Sequence, residues 1–224
     1  MSPLRYGRRA ALVKALAGFA VFPGLAAAAV APNGGAREIA IAMLGDSITA
    51  GYGLARADGP TAQLESLLRA AGNPVRVVDA GVSGDTSAGG RSRLDWMLAD
   101  KPDAVILALG GNDGLRGLPP GQTYVNLADI LDRLAARGLP VMMAGMLAPP
   151  NLGADYGREF AAIFTRLAAE HPAVIFYPFL LEGIAGDPAL NQADRIHPNP
   201  RGAALLARNM LAPVERLLAL IPDA

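Results

Sequence analysis

The sequence predicts one α/β domain, a three-layer α/β/α sandwich around a flavodoxin-like parallel sheet of about five strands. Three observations predict it. Short apolar runs that stop at glycine alternate with longer segments of helical periodicity, the pattern of strand–helix–strand units. The runs are continuously apolar rather than alternating, as expected for strands buried on both faces. Residues 32–224 contain no internal repeat and no low-complexity linker, so one domain accounts for their length.

Residues 38–44 (EIAIAML) form the first apolar run and end at Gly45. A Gly-rich loop follows, then a helix carrying Leu64, Leu67 and Leu68 on one face. Residues 75–78 are the second strand, closing at Asp79-Ala80-Gly81, and residues 103–109 the third, closing at Gly110-Gly111. Leu127, Ile130, Leu131 and Leu134 repeat at i, i+3, i+4, i+7 and mark an amphipathic helix. Gly138 caps it, and residues 140–147 are the fourth strand. Phe160, Ile163, Phe164 and Leu167 make the next helical face, followed by a short fifth strand at 173–176. Met210, Val214, Leu217 and Leu218 form the last stripe, with a bend expected at Pro213.

Composition narrows the chemistry. Hydrophobic residues make up 52% and charged residues 18%, too apolar for a disordered chain. The absence of cysteine excludes a disulfide scaffold, a thiolate metal site, a Cys nucleophile and a lipidated N-terminal cysteine. The 20 basic and 20 acidic residues balance, which argues against nucleic acid as a partner. That balance averages two unlike pieces. Arg5, Arg8, Arg9 and Lys14 precede an uncharged run at 15–30 that ends in small residues, and no acid occurs before Glu38. This is the layout of an export signal, loosely of the twin-arginine type, with cleavage expected near residues 28–31. The alternative, an uncleaved anchor, is short for a span of about 20 residues. Removing residues 1–31 leaves 16 basic against 20 acidic residues, a net charge of −4. The expected product is a periplasmic or secreted protein with no stable membrane anchor.

Ligands of such sheets bind at the carboxyl ends of the strands. Ser47, in Gly45-Asp46-Ser47, is placed there, before a helix, where a serine or aspartate can also be an ordinary cap. Asp194 lies three residues before His197, close enough to accept its Nδ1–H and leave Nε2 as a base. The plain alternative is a surface aspartate and a turn histidine held by Pro198 and Pro200. His171 reads as a structural residue at a helix C-terminus. Gly84 and Asn112 sit in two further Gly-rich loops and offer a backbone N–H and a side-chain amide to a developing oxyanion. Each also has a local explanation, a left-handed turn for Gly84 and an Asx turn for Asn112. Their joint placement at one sheet edge is what favours chemistry.

Four blocks carry a family resemblance. GDSITAGYG at 45–53, GVSGDT at 81–86, LGGNDGLRG at 109–117 and DRIHPN at 194–199 resemble, in this order, the blocks of the GDSL, or SGNH, hydrolases. The longer strings, with DYGR at 155–158 and YPF at 177–179, resemble the bacterial thioesterase/lysophospholipase/arylesterase subgroup. The resemblance spans about residues 39–218. It implies Ser47 as nucleophile, His197 as general base and acid, Asp194 as its orienting carboxylate, and an oxyanion hole formed by the Ser47 N–H, Gly84 and Asn112. One stretch departs from the pattern. Relatives carry a Trp-Pro pair after the first block, where this chain has Ala57-Asp58-Gly59-Pro60.

The expected activity is hydrolysis of carboxylic esters and thioesters (aryl esters, acyl thioesters and lysophospholipids) through an acyl-enzyme intermediate, with no cofactor and no metal. Asp46, Asp85 and Asp113 are scattered single carboxylates that brace loops. Leu115, Leu118, Met146, Leu147, Pro149 and Pro150 are candidate linings for an acyl channel, or ordinary loop packing. A carbohydrate acetylesterase on the same fold is the alternative. A nucleotide-binding module is disfavoured, because the first strand is followed by neither G-x-x-x-x-G-K-[ST] nor G-x-G-x-x-G.

Overall fold

The computed structural model describes residues 37–222, which lie within one compact unit, residues 36–224. The predicted export segment falls outside the described residues. Five strands form one parallel sheet: β1 (Ile39–Gly45), β2 (Val75–Gly81), β3 (Ala104–Ala108), β4 (Val141–Ala144) and β5 (Ile175–Tyr177), in the order β2-β1-β3-β4-β5. This is the flavodoxin-like order, and it reverses direction between β1 and β3. The predicted strands are all present, with ends displaced by at most three residues.

Among the described residues, seven α-helices complete the fold: α1 (Pro60–Ala70), α2 (Ser87–Ser92), α3 (Leu94–Leu98), α4 (Gly111–Leu115), α5 (Pro120–Ala135), α6 (Ala154–Glu170) and α7 (Pro200–Leu218). α1 packs on α7, and α2 and α6 pack on α5. Every residue of β3 and β4 is buried, so both sheet faces are covered. Phe160 and Phe164, stacked edge to face at 5.8 Å between ring centres, anchor α6 in the core.

Three local features have physical reasons. First, α2, α3 and α4 each have six residues or fewer, too short to display helical periodicity. Second, α7 continues unbroken through Pro213. Proline deletes one backbone donor, but Met210, Val214, Leu217 and Leu218 remain buried on either side of it, and that packing holds the helix. Third, Ser47 does not open a helix. It lies in consecutive turns in which Ala50 N donates to Asp46 O and Tyr52 N to Ser47 O, each at 3.0 Å. Gly51 and Gly53, with φ of +64° and +74°, keep that turn from propagating.

The turn packs backbone to backbone against β2. A Cβ on Gly81 would stand 2.5 Å from Ala50 N and 2.7 Å from Asp46 O. Neither contact is with a flexible side chain, so the turn or the strand must move. Gly81→Ala is expected to destabilise the protein by about 1–3 kcal/mol and to lower activity by shifting Ser47. Urea denaturation, with activity measured well below the unfolding midpoint, checks both effects.

Candidate active site

β1 and its neighbours end level, with Gly45 opposite Gly81 of β2 and Ala108 of β3. The segments that follow these strands carry Ser47, Gly84 and Asn112, flanking the point where strand order reverses. Asp46 is almost wholly buried, and its Oδ1 accepts the Ile48 N–H at 3.0 Å. Its other oxygen accepts from Asn112 Nδ2 at 3.3 Å. Burial pushes the Asp46 carboxyl up to about 6, against the opposing pull of the Ile48 N–H, His197 and the Asn112 amide.

His197 arrives from the long segment between β5 and α7. Its Nε2 lies 2.8 Å from Ser47 Oγ, and its Nδ1 lies 2.7 Å from Asp194 Oδ2. A carboxylate accepts only, so Nδ1 carries the hydrogen and Nε2 is left to accept from the serine hydroxyl. Asp194 Oδ1 accepts the N–H groups of Ile196 at 2.9 Å and His197 at 3.0 Å. The His197 backbone N–H, then its ring, then the Ile196 N–H hold the Asp194 carboxyl down at about 2. Asp194 is therefore ionised throughout the neutral range.

Several residues not singled out in the sequence hold this segment in place. Gln192 Nε2 donates to Tyr52 O at 2.7 Å and to Pro198 O at 3.0 Å, tying the histidine segment to the serine turn. The Tyr52 ring lies 4.6 Å from the imidazole, tilted by 40°. Asn199 caps α7 by accepting from Arg201 N and Gly202 N, while its Nδ2 donates to Ala189 O and Asn191 O. Tyr52 belongs to the GDSITAGYG block, which is a signal of a kind. Gln192 has none, because its partners are backbone atoms 140 and six residues away.

Gly84 has φ +84°, and its carbonyl accepts from Arg116 at 2.9 Å. The Asn112 amide donates to Asp85 O at 2.9 Å, so the structure brings Asn112 beside the Gly84–Asp85 segment. Asn112 sits in the first turn of α4, behind left-handed Gly110 at φ +111°, rather than in an Asx turn. Asp85 accepts from Arg93 Nε at 2.5 Å, and the same guanidinium donates to Gly45 O at 2.8 Å. Asp113 is buried and accepts from Ser87 N, Ser87 Oγ and Thr123 Oγ1. The three scattered carboxylates brace loops by hydrogen bonds.

The candidate acyl-channel residues are placed unequally. Leu115 and Leu147 are exposed, and Leu118 and Pro149 are half-buried. Pro150 is exposed at the start of a 3-10 turn. Met146 is buried in the core, packed near Gly110 and Phe164. Tyr156, of the DYGR string, donates to Leu118 O at 2.8 Å. Ile48, Gly51, Tyr52, Leu54, Pro60 and Pro198 pack around Ser47 and His197. On the far side of Gly51 and Leu54 lies a cavity of about 690 Å³ bordered by Gly59, where the sequence departs from the Trp-Pro pattern. His171 closes α6 as its C-cap.

The two carboxylates of the site titrate in opposite directions. Asp46 is raised from 3.8 to about 6. Its stabilising contribution is therefore full below the unfolded value and lost as pH rises through about 6. Asp46→Asn, neutral throughout, is expected to gain stability relative to wild type between about pH 4 and pH 7. Denaturation midpoints across that range check it. A gap independent of pH would remove Asp46 as the titrating group.

The sequence profile of the GDSL-like lipase/acylhydrolase family matches residues 43–205. Esterase TesA of Pseudomonas aeruginosa is 41% identical over 177 residues, covering 79% of this chain and 88% of that protein. Thioesterase 1/protease 1/lysophospholipase L1 of Escherichia coli K12 is 35% identical, covering 79% and 83%. The crystal structure of TesA superposes with a TM-score of 0.76 at 40% identity, covering 80% of this chain and 99% of that one. A hydroxyl, imidazole and carboxylate joined at the carboxyl edge of a 2-1-3-4-5 sheet, within a profile match of this length, place the chain in one family: it belongs to the GDSL-like lipase/acylhydrolases and is a serine ester hydrolase.

Proposed function

We propose that the chain cleaves carboxylic esters and acyl thioesters through an acyl intermediate on Ser47, with His197 and Asp194 completing a triad. The observation that carries this reading is the hydrogen-bonded series Ser47–His197–Asp194. Ser47 Oγ attacks the carbonyl carbon while its proton passes to His197 Nε2. Negative charge collects on the carbonyl oxygen. The N–H groups of Ser47 and Gly84 and the Asn112 amide stabilise it. Asn112 has one long hydrogen bond, to Asp46 at 3.3 Å, and the oxyanion competes for that donor. The tetrahedral intermediate collapses and His197 protonates the departing alcohol or thiol. A water molecule then gives its proton to the same nitrogen, attacks the acyl carbon and releases the acid. Asp194, held ionised, fixes the ring and stabilises the imidazolium.

Relatives named esterase, arylesterase, thioesterase and lysophospholipase support acyl substrates of more than acetyl length. Leu115, Leu118, Leu147 and Pro149 are the surfaces such chains would meet. The basic N-terminus and the uncharged run after it support export with cleavage near residue 31. Among the described residues, no helix is long and apolar enough to cross a membrane.

Labelling with a fluorophosphonate should modify Ser47 alone, and Ser47→Ala should abolish both labelling and p-nitrophenyl ester hydrolysis without altering the circular dichroism spectrum. Substantial residual turnover would sink the assignment. Asn112→Ala is expected to lower kcat by about 10²–10³-fold with little change in KM. Octanoyl esters should be cleaved at least as fast as acetyl esters. A steep loss with chain length would instead indicate an acetylesterase.

A further inference from the structure

The segment that delivers His197 has little apolar packing of its own. Ala193, Asp194, Arg195 and Ile196 are all exposed, and Arg195 turns the chain at φ +60°. Asp194 fixes the internal shape of this turn through the Ile196 and His197 N–H groups, but both partners lie inside the segment. Its place over Ser47 is set by other bonds. Among the described residues, two hydrogen bonds join residues 45–53 to residues 191–199. One links Ser47 Oγ and His197 Nε2 at 2.8 Å, and the other runs from Gln192 Nε2 to Tyr52 O at 2.7 Å.

Gln192 is bonded to the histidine segment along its backbone as well. Its N–H donates to His197 O at 2.8 Å, and its carbonyl accepts from Arg195 N at 2.9 Å. The side-chain nitrogen directs its two hydrogens at two carbonyls, Tyr52 O and, at 3.0 Å, Pro198 O. A primary amide supplies two donors from one uncharged atom, which this position requires. Tyr52 N in turn donates to Ser47 O at 3.0 Å. A path of hydrogen bonds therefore runs from the Ser47 backbone through Tyr52 and Gln192 to Pro198, beside the imidazole, without using the Ser47 hydroxyl. The carboxamide lies close on the serine turn, since a Cβ at Gly53 would stand 2.4 Å from Gln192 Oε1.

The two links fare differently during the reaction. Once Ser47 Oγ carries the acyl group, it has no hydrogen to donate. Neutral Nε2 is an acceptor and so is the ester oxygen, so the direct Ser47–His197 bond is absent from the acyl-enzyme. The Gln192 link uses backbone carbonyls only and is unaffected. Resting on the acyl-enzyme reading, we propose that Gln192 is a positioning residue for His197 whose task falls in deacylation, where it holds the imidazole in place while the serine cannot. In that step water gives a proton to Nε2 and its oxygen bonds the acyl carbon. The bond from that carbon to Oγ then breaks, and Oγ takes the proton back from Nε2. Acylation is less sensitive, because the free serine hydroxyl itself holds the ring.

Gln192→Met keeps the side-chain length and removes both donors. Gln192→Glu keeps the shape and, when ionised, donates nothing. Quenched-flow mass spectrometry with a p-nitrophenyl ester follows formation and decay of the acyl adduct on Ser47. In both variants decay should slow about tenfold while formation stays within about twofold of wild type, the scale expected for a slightly misplaced base. Because kcat/KM reports acylation alone, it should stay near the wild-type value, and the adduct should accumulate with a burst of p-nitrophenol. A merely structural role would lower kcat/KM. Equal slowing of both steps overturns the proposal, and so does unchanged adduct decay. Fluorophosphonate labelling of wild-type Ser47 tests the acyl-enzyme reading separately. Failure of that labelling removes the reading itself, whereas normal labelling with unchanged decay in the variants removes only the role of Gln192.

Discussion

The level ending of β2, β1 and β3 is the constraint on which the site depends. With Gly81, Gly45 and Ala108 side by side, three chain segments leave the sheet at one height. The serine turn can then lie directly on the β2 backbone, an approach that a Cβ at Gly81 would prevent. A change in pairing register would carry the Ser47 turn away from the Gly84 and Asn112 segments. Fully buried strands resist such a slip, because it would misplace every side chain in the core.

Above that edge, polar bonds replace apolar packing as the means of holding geometry. Asp46, Asp85 and Asp113 each accept from a neighbouring segment, and Arg93 spans Asp85 and the Gly45 carbonyl. Burying carboxylates is costly, and Asp46 shows the cost in its raised carboxyl. Asp194 shows the reverse, where three hydrogen bonds at a more open position keep the charge in place. Two carboxylates of one site are thus driven apart in acidity by environment alone, and the more acidic one bonds the ring.

Much of this was legible in the sequence, for reasons tied to particular residues. The strands announced themselves because apolar runs such as residues 38–44 are buried on both faces. The triad candidates stood out because serine after a strand and D-x-x-H before a helix are local patterns. What escaped was short or non-local. SAGGRS is a helix capped by Thr86 and packed on α5, and GNDGL follows left-handed Gly110, and no periodicity fits in five or six residues. Gln192 acts through backbone carbonyls remote in sequence. Met146 read as a possible channel residue but is core, because an apolar residue at the end of a buried strand has the same signature in either place.

The sequence alone determined the fold class, the strand order of events along the chain, the four motif blocks and the charge contrast between the N-terminal segment and the rest. These depend on hydrophobic period and on short spacings, which are local properties of the chain. Tertiary structure decided what those properties leave open. It set Ser47 in a tight turn instead of at a helix start, spaced the hydroxyl, imidazole and carboxylate at 2.8 and 2.7 Å, and split Asp46 from Asp194 in acidity. Distance, burial and exposure are properties of neighbours brought together by the sheet, and they are fixed only when it forms.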